Sequence, residues 1–141
     1  MARCKHHKYR LMANTNPNKI TIKEVTSKRE LRRFINFGID LYKDSPYYCP
    51  PIVFDEINTF TPKGNPALEV CDFVLYLAYR DDKIVGRIAG IINHRANEAW
   101  RVKKCRFGWF DFIDDYDVFE ALMDAVVAWG KSRNMECING P

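Results

Sequence analysis

From Phe73 to Ile138 the chain changes its pattern in an order that leaves few architectures open. Phe73-Val74-Leu75-Tyr76-Leu77-Ala78-Tyr79 is a mostly apolar strand, Asp81-Asp82 a tight turn, and Lys83–Ile92 the returning strand of a hairpin. Gly86 and Gly90 in that return mark close backbone approach or a bulge. A polar loop over 93–102 follows. Cys105–Ile113 is a third strand, aromatic on both faces and therefore expected in a central position. Asp115 then caps a helix with Asp117 and Glu120 in its first turn and Lys131 and Arg133 in its last, which complements the helix dipole. Val118, Leu122, Val126 and Trp129 form its apolar stripe, thickened by Phe119 and Met123, and Asn134 ends it. Cys137-Ile138 opens one more strand. A strand–helix–strand unit calls for a parallel pair with a right-handed crossover.

The residues before Phe73 fit the same class. Lys19–Val25 alternates apolar and polar residues, as a half-buried strand does. Ser27 and Glu30 have the spacing of a capping box. The helix behind it gathers Leu31, Phe34, Ile35, Ile39 and Tyr42 on one face and stops near Pro46. Ser45–Pro51 is a stiff aromatic connector that packs or lines a cleft. Short helical pieces are expected over 52–60 and 67–70, on either side of the turn cluster at Thr61–Pro66. The class is α/β (α+β), a mixed sheet in the order strand, helix, hairpin, strand, helix, strand.

A length of 141 residues suits one domain, and 47% hydrophobic residues suffice for a core. The net charge of +4 owes much to Arg3, Lys5, Lys8, Arg10, Lys19 and Lys23. Residues 1–17 read as a flexible basic tail and residues 18–141 as the domain. Five widely spaced cysteines without a Cys-x-x-Cys motif argue for free thiols in a reducing cytoplasm. No apolar run is long enough to span a bilayer, so no membrane partner is expected.

With the order complete, the chain resembles the N-terminal half of the GNAT N-acetyltransferase superfamily over residues 19–141, and within it a bacterial subgroup of larger GNAT-like proteins. The resemblance rests on Tyr79–Ala89 with its Val85-Gly86 hairpin. It rests also on Gly108-Trp109-Phe110-Asp111, on the acidic turn Asp114-Asp115-Tyr116-Asp117-Val118, and on Gly140-Pro141. It implies an N-acyltransferase that moves an acyl group from acetyl-CoA or another acyl-CoA to an amine of a small molecule or peptide, with no metal. It implies a catalytic base at Asp111, flanked by Phe110 and Phe112, and a donor grip by the backbone around Phe110, Phe112, Ile113 and Asp115.

Two departures qualify the resemblance. The family's glycine-rich diphosphate loop is here Ile113-Asp114-Asp115-Tyr116-Asp117, with no glycine and three carboxylates. These repel a diphosphate and occupy the helix's first donors. The family's later elements do not follow Pro141, so the resemblance implies an incomplete domain, inactive by itself, whose open sheet edge invites a homodimer. The alternative is a non-catalytic module that binds a partner or small ligand.

Other residues have two readings each. Asp111 is a base, or a strand-end carboxylate that is solvated or paired with an arginine. Asp114, Asp115 and Asp117 hold a cation, or form a cap with its first-turn charges. Cys4, His6 and His7 suggest a metal site but lack a fourth ligand. His94 is a lone loop histidine. Trp100, Trp109 and Trp129 are core anchors or a stacking surface. Arg95, Arg101, Lys103, Lys104 and Arg106 interleave with Trp100 as a phosphate-facing stripe or a charged loop, and nucleic acid is not the expected partner.

Overall fold

The computed structural model describes residues 19–140. The tail, with Cys4, His6 and His7, and Pro141 lie outside the described residues. The elements are β1 (Ile20–Glu24), α1 (Lys28–Tyr42), α2 (Val53–Thr59), a 3-10 turn (Pro66–Val70), β2 (Cys71–Arg80), β3 (Lys83–Asn93), α3 (His94–Trp100), β4 (Lys104–Phe112), α4 (Tyr116–Ser132) and β5 (Cys137–Asn139).

The five strands lie in the order β1-β2-β3-β4-β5. β1 through β4 pair antiparallel, and β4 pairs parallel with β5 across α4. The expected parallel crossover is therefore present. β3 holds the middle, and β4 stands one place off centre.

Each face of the sheet has its own core. On one face α4 presses Val118, Leu122, Val126 and Trp129 onto Val74, Ala78, Val85, Ile88, Ile92 and Cys105. Gly86 and Gly90 make this contact possible. A side chain at Gly86 would run into Leu122, Val118 and Phe112, and one at Gly90 into Trp129 and Val74. On the other face α1 and α2 set Phe34, Ile35 and Phe60 against Leu75, Leu77, Tyr79 and Ala89. Aromatic residues thus occupy both sides of β4 because both sides are covered.

Local chemistry accounts for the ends. Ser27 and Glu30 form the reciprocal capping box, with Glu30 accepting from the Ser27 N–H at 3.0 Å and Ser27 from the Glu30 N–H at 3.2 Å. These bonds, led by the one from the Thr26 N–H, hold the Glu30 carboxyl below its ordinary range. Asp81 supplies the left-handed residue of the β2–β3 turn at φ 54°. The polar segment 93–102 departs from expectation: it is the short helix α3, capped by the Asn93 side chain and closed by Arg101 in a left-handed conformation. Its helix was hidden because it buries no residue and so shows no apolar stripe.

Candidate functional site

The ladder between β3 and β4 breaks at one place. Ala89 faces Gly108 and Arg87 faces Asp111, so Ile88 alone faces both Trp109 and Phe110. Trp109 takes φ 46°, a left-handed conformation that an aromatic residue seldom adopts. This bulge reverses the alternation of β4. Phe107 and Phe110 both meet the α4 core, while Trp109 meets the α1 core.

The bulge also decides where the backbone groups point. Ile113 donates its N–H to the Val85 carbonyl at 3.0 Å, towards β3. By the alternation of an antiparallel ladder Asp111 does the same and Phe112 presents its N–H and C=O groups to the opposite edge, while Phe110 lies in the bulge itself. β5 pairs with only Lys104, Cys105 and Arg106. Among the described residues the edge of β4 from Phe107 to Phe112 therefore has no strand partner. At the point of separation Arg106, Phe107, Asn139 and Gly140 line a hollow of 210 Å³. The Phe107 ring packs so closely on Gly140 that no side chain would fit there.

On the α1 face stands Asp111, which pairs with Arg87. Arg87 donates from Nε to Asp111 Oδ2 at 2.8 Å, and its Nη2 lies 2.7 Å from the same oxygen as an ion pair. Its Nη1 donates to the carbonyls of Phe34 at 2.8 Å and Ile35 at 3.2 Å on α1. Gly38 leaves the space, since a side chain there would collide with the guanidinium. The other carboxylate oxygen accepts from Tyr42: Oη to Oδ1 is 2.9 Å. Desolvation, then the hydrogen bond to the Asp111 carboxylate, pushes the Tyr42 hydroxyl above its ordinary pKa. Tyr42 rests on Tyr48 of the aromatic connector, with ring centroids 5.4 Å apart, and stays 42% exposed. The network runs from solvent through Tyr42 and Asp111 to a guanidinium that is only 11% exposed.

Asp111 thus has the arginine partner foreseen as one of its two readings. Phe110 and Phe112 flank it in sequence but belong to the opposite, α4 face. Tyr42 was legible only as part of α1's apolar face, and Arg87 carried no signal at all. Their meeting with Asp111 spans 69 and 24 residues of sequence.

At the end of β4 the acidic turn caps α4. Asp115 accepts from the Asp117 N–H at 3.0 Å and pairs with Arg80 at 2.7 Å. The Arg80 bond is the main reason its carboxyl lies below the usual range. Phe112, Asp114, Asp115, Tyr116 and Phe119 border a shallow cleft of 230 Å³. Phe107, Phe110, Phe112, Phe119 and Tyr116 form a run of ring contacts from 4.9 to 5.8 Å along this side. Of the four backbone positions expected to hold a donor, Phe110 lies in the bulge and Phe112 beside the unpaired edge, Ile113 is turned to β3, and Asp115 is committed to the cap and to Arg80.

The remaining candidates are dispersed. Trp129 is a core anchor, Trp109 is half-buried, and Trp100 is 61% exposed under the Arg106 guanidinium, so it anchors no core. His94 sits 3.1 Å from Asp72. Among the described residues no three His, Cys, Asp or Glu side chains gather as metal ligands. No helix among them is long and apolar enough to cross a membrane.

No protein-family model matches the chain. Protein YghO of Escherichia coli (strain K12) is 35% identical over 120 residues, covering 85% of this chain and 30% of that protein. Bacterial ceramide synthase of Caulobacter vibrioides (strain NA1000 / CB15N) is 28% identical over 123 residues, covering 86% of this chain and 32% of that protein. The chain spans about a third of the length of these curated relatives. A tandem GNAT protein from the clavulanic acid biosynthesis pathway, solved without AcCoA, superposes with TM-score 0.66 at 11% identity over 86% of this chain and 36% of that one. A predicted acetyltransferase from Clostridium acetobutylicum, solved with acetyl-CoA, gives TM-score 0.58 at 15% identity over 87% and 80%. The chain has the GNAT acyltransferase fold, as its order of elements implied.

Proposed function

We propose, from this fold, that the chain supplies the donor edge and the base of an N-acyltransferase that moves an acyl group from an acyl-CoA thioester to an amine. One observation carries the reading: the register between β3 and β4 breaks at Trp109, φ 46°, beside an edge of β4 around Asp111 that pairs with no strand among the described residues. An extended pantetheine arm offers amides that can pair with such an edge as an added strand would. Asp111 takes the proton of the attacking amine through the Tyr42 hydroxyl, which accepts from the amine as it donates to Oδ1. The new C–N bond forms as the C–S bond breaks, and the CoA thiolate leaves. Arg87 holds the carboxylate in place through its contacts to Oδ2. The curated relative named as a ceramide synthase supports the reading, since a ceramide is an amide. The free cysteines among the described residues support a reducing, cytoplasmic setting.

The diphosphate of CoA does not fit the end of α4 as it fits a glycine-rich loop. Asp115 already fills the cap, and Asp114 and Asp117 add negative charge beside it. S-acetylpantetheine, which lacks the diphosphate, is therefore expected to bind with an affinity comparable to acetyl-CoA. Amide NMR titration of the chain with each checks this, with shifts centred on Phe110 and Phe112. No saturable shift with either donor would sink the donor-edge reading, and a hundredfold preference for acetyl-CoA would show that the diphosphate has an anchor. Without that anchor the chain by itself is expected to give no turnover in a thiol-release assay. Product that Asp111→Asn abolishes would overturn that expectation.

A second reading has its own observation. Both oxygens of Asp111 already have partners, as in a purely structural ion pair. The scaffold is then a binding module without chemistry, and neither Asp111→Asn nor Tyr42→Phe would change donor binding or any turnover of a longer chain.

A further inference from the structure

We infer that Glu56 is a positioning residue that holds the β4 bulge in the form that aims the Phe110 backbone at the donor, an inference that rests on the donor-edge reading above. Trp109 donates its indole Nε1–H to Glu56 Oε2 at 2.9 Å. A tryptophan at φ 46° persists only where its surroundings hold it. Two things do so here. The ring meets Phe60 edge-on at 4.8 Å, and the indole N–H ends on a carboxylate, a charge-assisted bond. Gly108, the preceding residue, provides no steric hold, since nothing lies within 4 Å of where its side chain would be.

Glu56 comes from an unexpected place for such a task. α2 buries no residue, its side-chain N-cap is absent, and Ile52 and Phe54 at its start are 68% and 69% exposed. Its attachment to the sheet runs through Ile57, Phe60 and the Glu56–Trp109 bond. α2 and the aromatic connector before it lie on the Tyr42 side of β4, while the open edge of β4 belongs to the donor. The bond therefore ties the position of α2, on the base side of the strand, to the direction of a backbone amide on the other. Releasing it lets Trp109 relax towards the ordinary extended region. The register of β4 after Gly108 then loosens, and the Phe110 N–H turns from the open edge.

The test uses amide and indole NMR of the chain with Glu56→Ala, Glu56→Gln and Trp109→Phe, first without ligand and then with S-acetylpantetheine. Glutamine keeps an acceptor oxygen and phenylalanine keeps a ring without the donor. Expected without ligand are displaced Trp109 indole and Phe110 amide signals in Glu56→Ala, a similar Phe110 displacement in Trp109→Phe, and near-native signals in Glu56→Gln. Expected with ligand is about a tenfold weaker affinity in the alanine variant, the scale of one lost hydrogen bond to a charged group, largely restored by glutamine. Phe110 signals unchanged in Glu56→Ala, or equally displaced in Glu56→Gln, would overturn the inference. Displaced signals in a chain that binds no donor even as wild type would uphold the lock and overturn the donor-edge reading instead.

Discussion

The Arg87 guanidinium joins three elements through one side chain: Asp111 on β4, its own strand β3, and two carbonyls in the middle of α1. Such a pair is weak evidence of net stabilisation, because desolvation offsets its attraction, but removing one member leaves the other stranded. Asp111→Ala leaves a guanidinium that is 11% exposed without its counter-charge, and is expected to cost ~3 kcal/mol in urea unfolding. Arg87→Lys should recover little of the geometry, since an ammonium cannot reach both the carboxylate and the helix carbonyls in one plane. A loss below ~1 kcal/mol for Asp111→Ala would mean that water already shares the site. Asp115 carries a pH signature of a different kind. Its folded-state pKa is depressed, chiefly by the Arg80 bond, so its contribution is present above the ordinary aspartate range and is lost as pH falls through the folded value. The stability gap between wild type and Asp115→Asn should be constant near neutrality and shrink below pH ~4. Asparagine also caps helices, so the comparison isolates the charge. A gap that widens in acid would contradict the assignment.

Elements with an apolar period were legible before any coordinates: α1 and α4 with their caps, the β2–β3 hairpin and the parallel β4–β5 unit all stand where the residues indicated. What stayed hidden lacks a local signal. α3 buries nothing, the bulge at Trp109 is a register event between two strands, and Tyr42, Arg87 and Asp111 meet only in three dimensions. Gly38 shows how an element conceals a tertiary demand. In an exposed helix a Gly→Ala change gains roughly 1 kcal/mol of propensity. Here the new methyl collides with a guanidinium pinned by three hydrogen bonds and one ion pair, so the sign reverses. Gly38→Ala is expected to destabilise by a net ~1–2 kcal/mol, overpacking exceeding propensity. The check is a double-mutant cycle with Arg87→Ala, in which the penalty should vanish and the propensity gain reappear. An equal penalty in both backgrounds would place the strain elsewhere on α1.

At the scale of the whole molecule the unpaired edge of β4 decides what can associate with the chain. From Phe107 to Phe112 its outward N–H and C=O groups lack a strand partner among the described residues, and half-buried Phe107, Phe110 and Phe112 lie along the same stretch. Unpaired ladder groups beside aromatic surface are a template for another strand. Two copies can meet there about a two-fold axis, each strand satisfying the other. β1, at the far side of the sheet, is a poorer template, since it is five residues long and carries exposed Thr21, Lys23 and Glu24. A homodimer through β4 and a pantetheine arm would require the same backbone groups of Phe110 and Phe112. Association and donor binding should therefore compete. Light scattering is expected to show a concentration-dependent dimer, and saturating S-acetylpantetheine should shift it towards monomer. A proline at Phe112, which removes an outward N–H, should weaken both at once. A dimer indifferent to the donor would place the contact on another surface, and a monomer at all concentrations that binds no hydrophobic dye would show that the edge is covered.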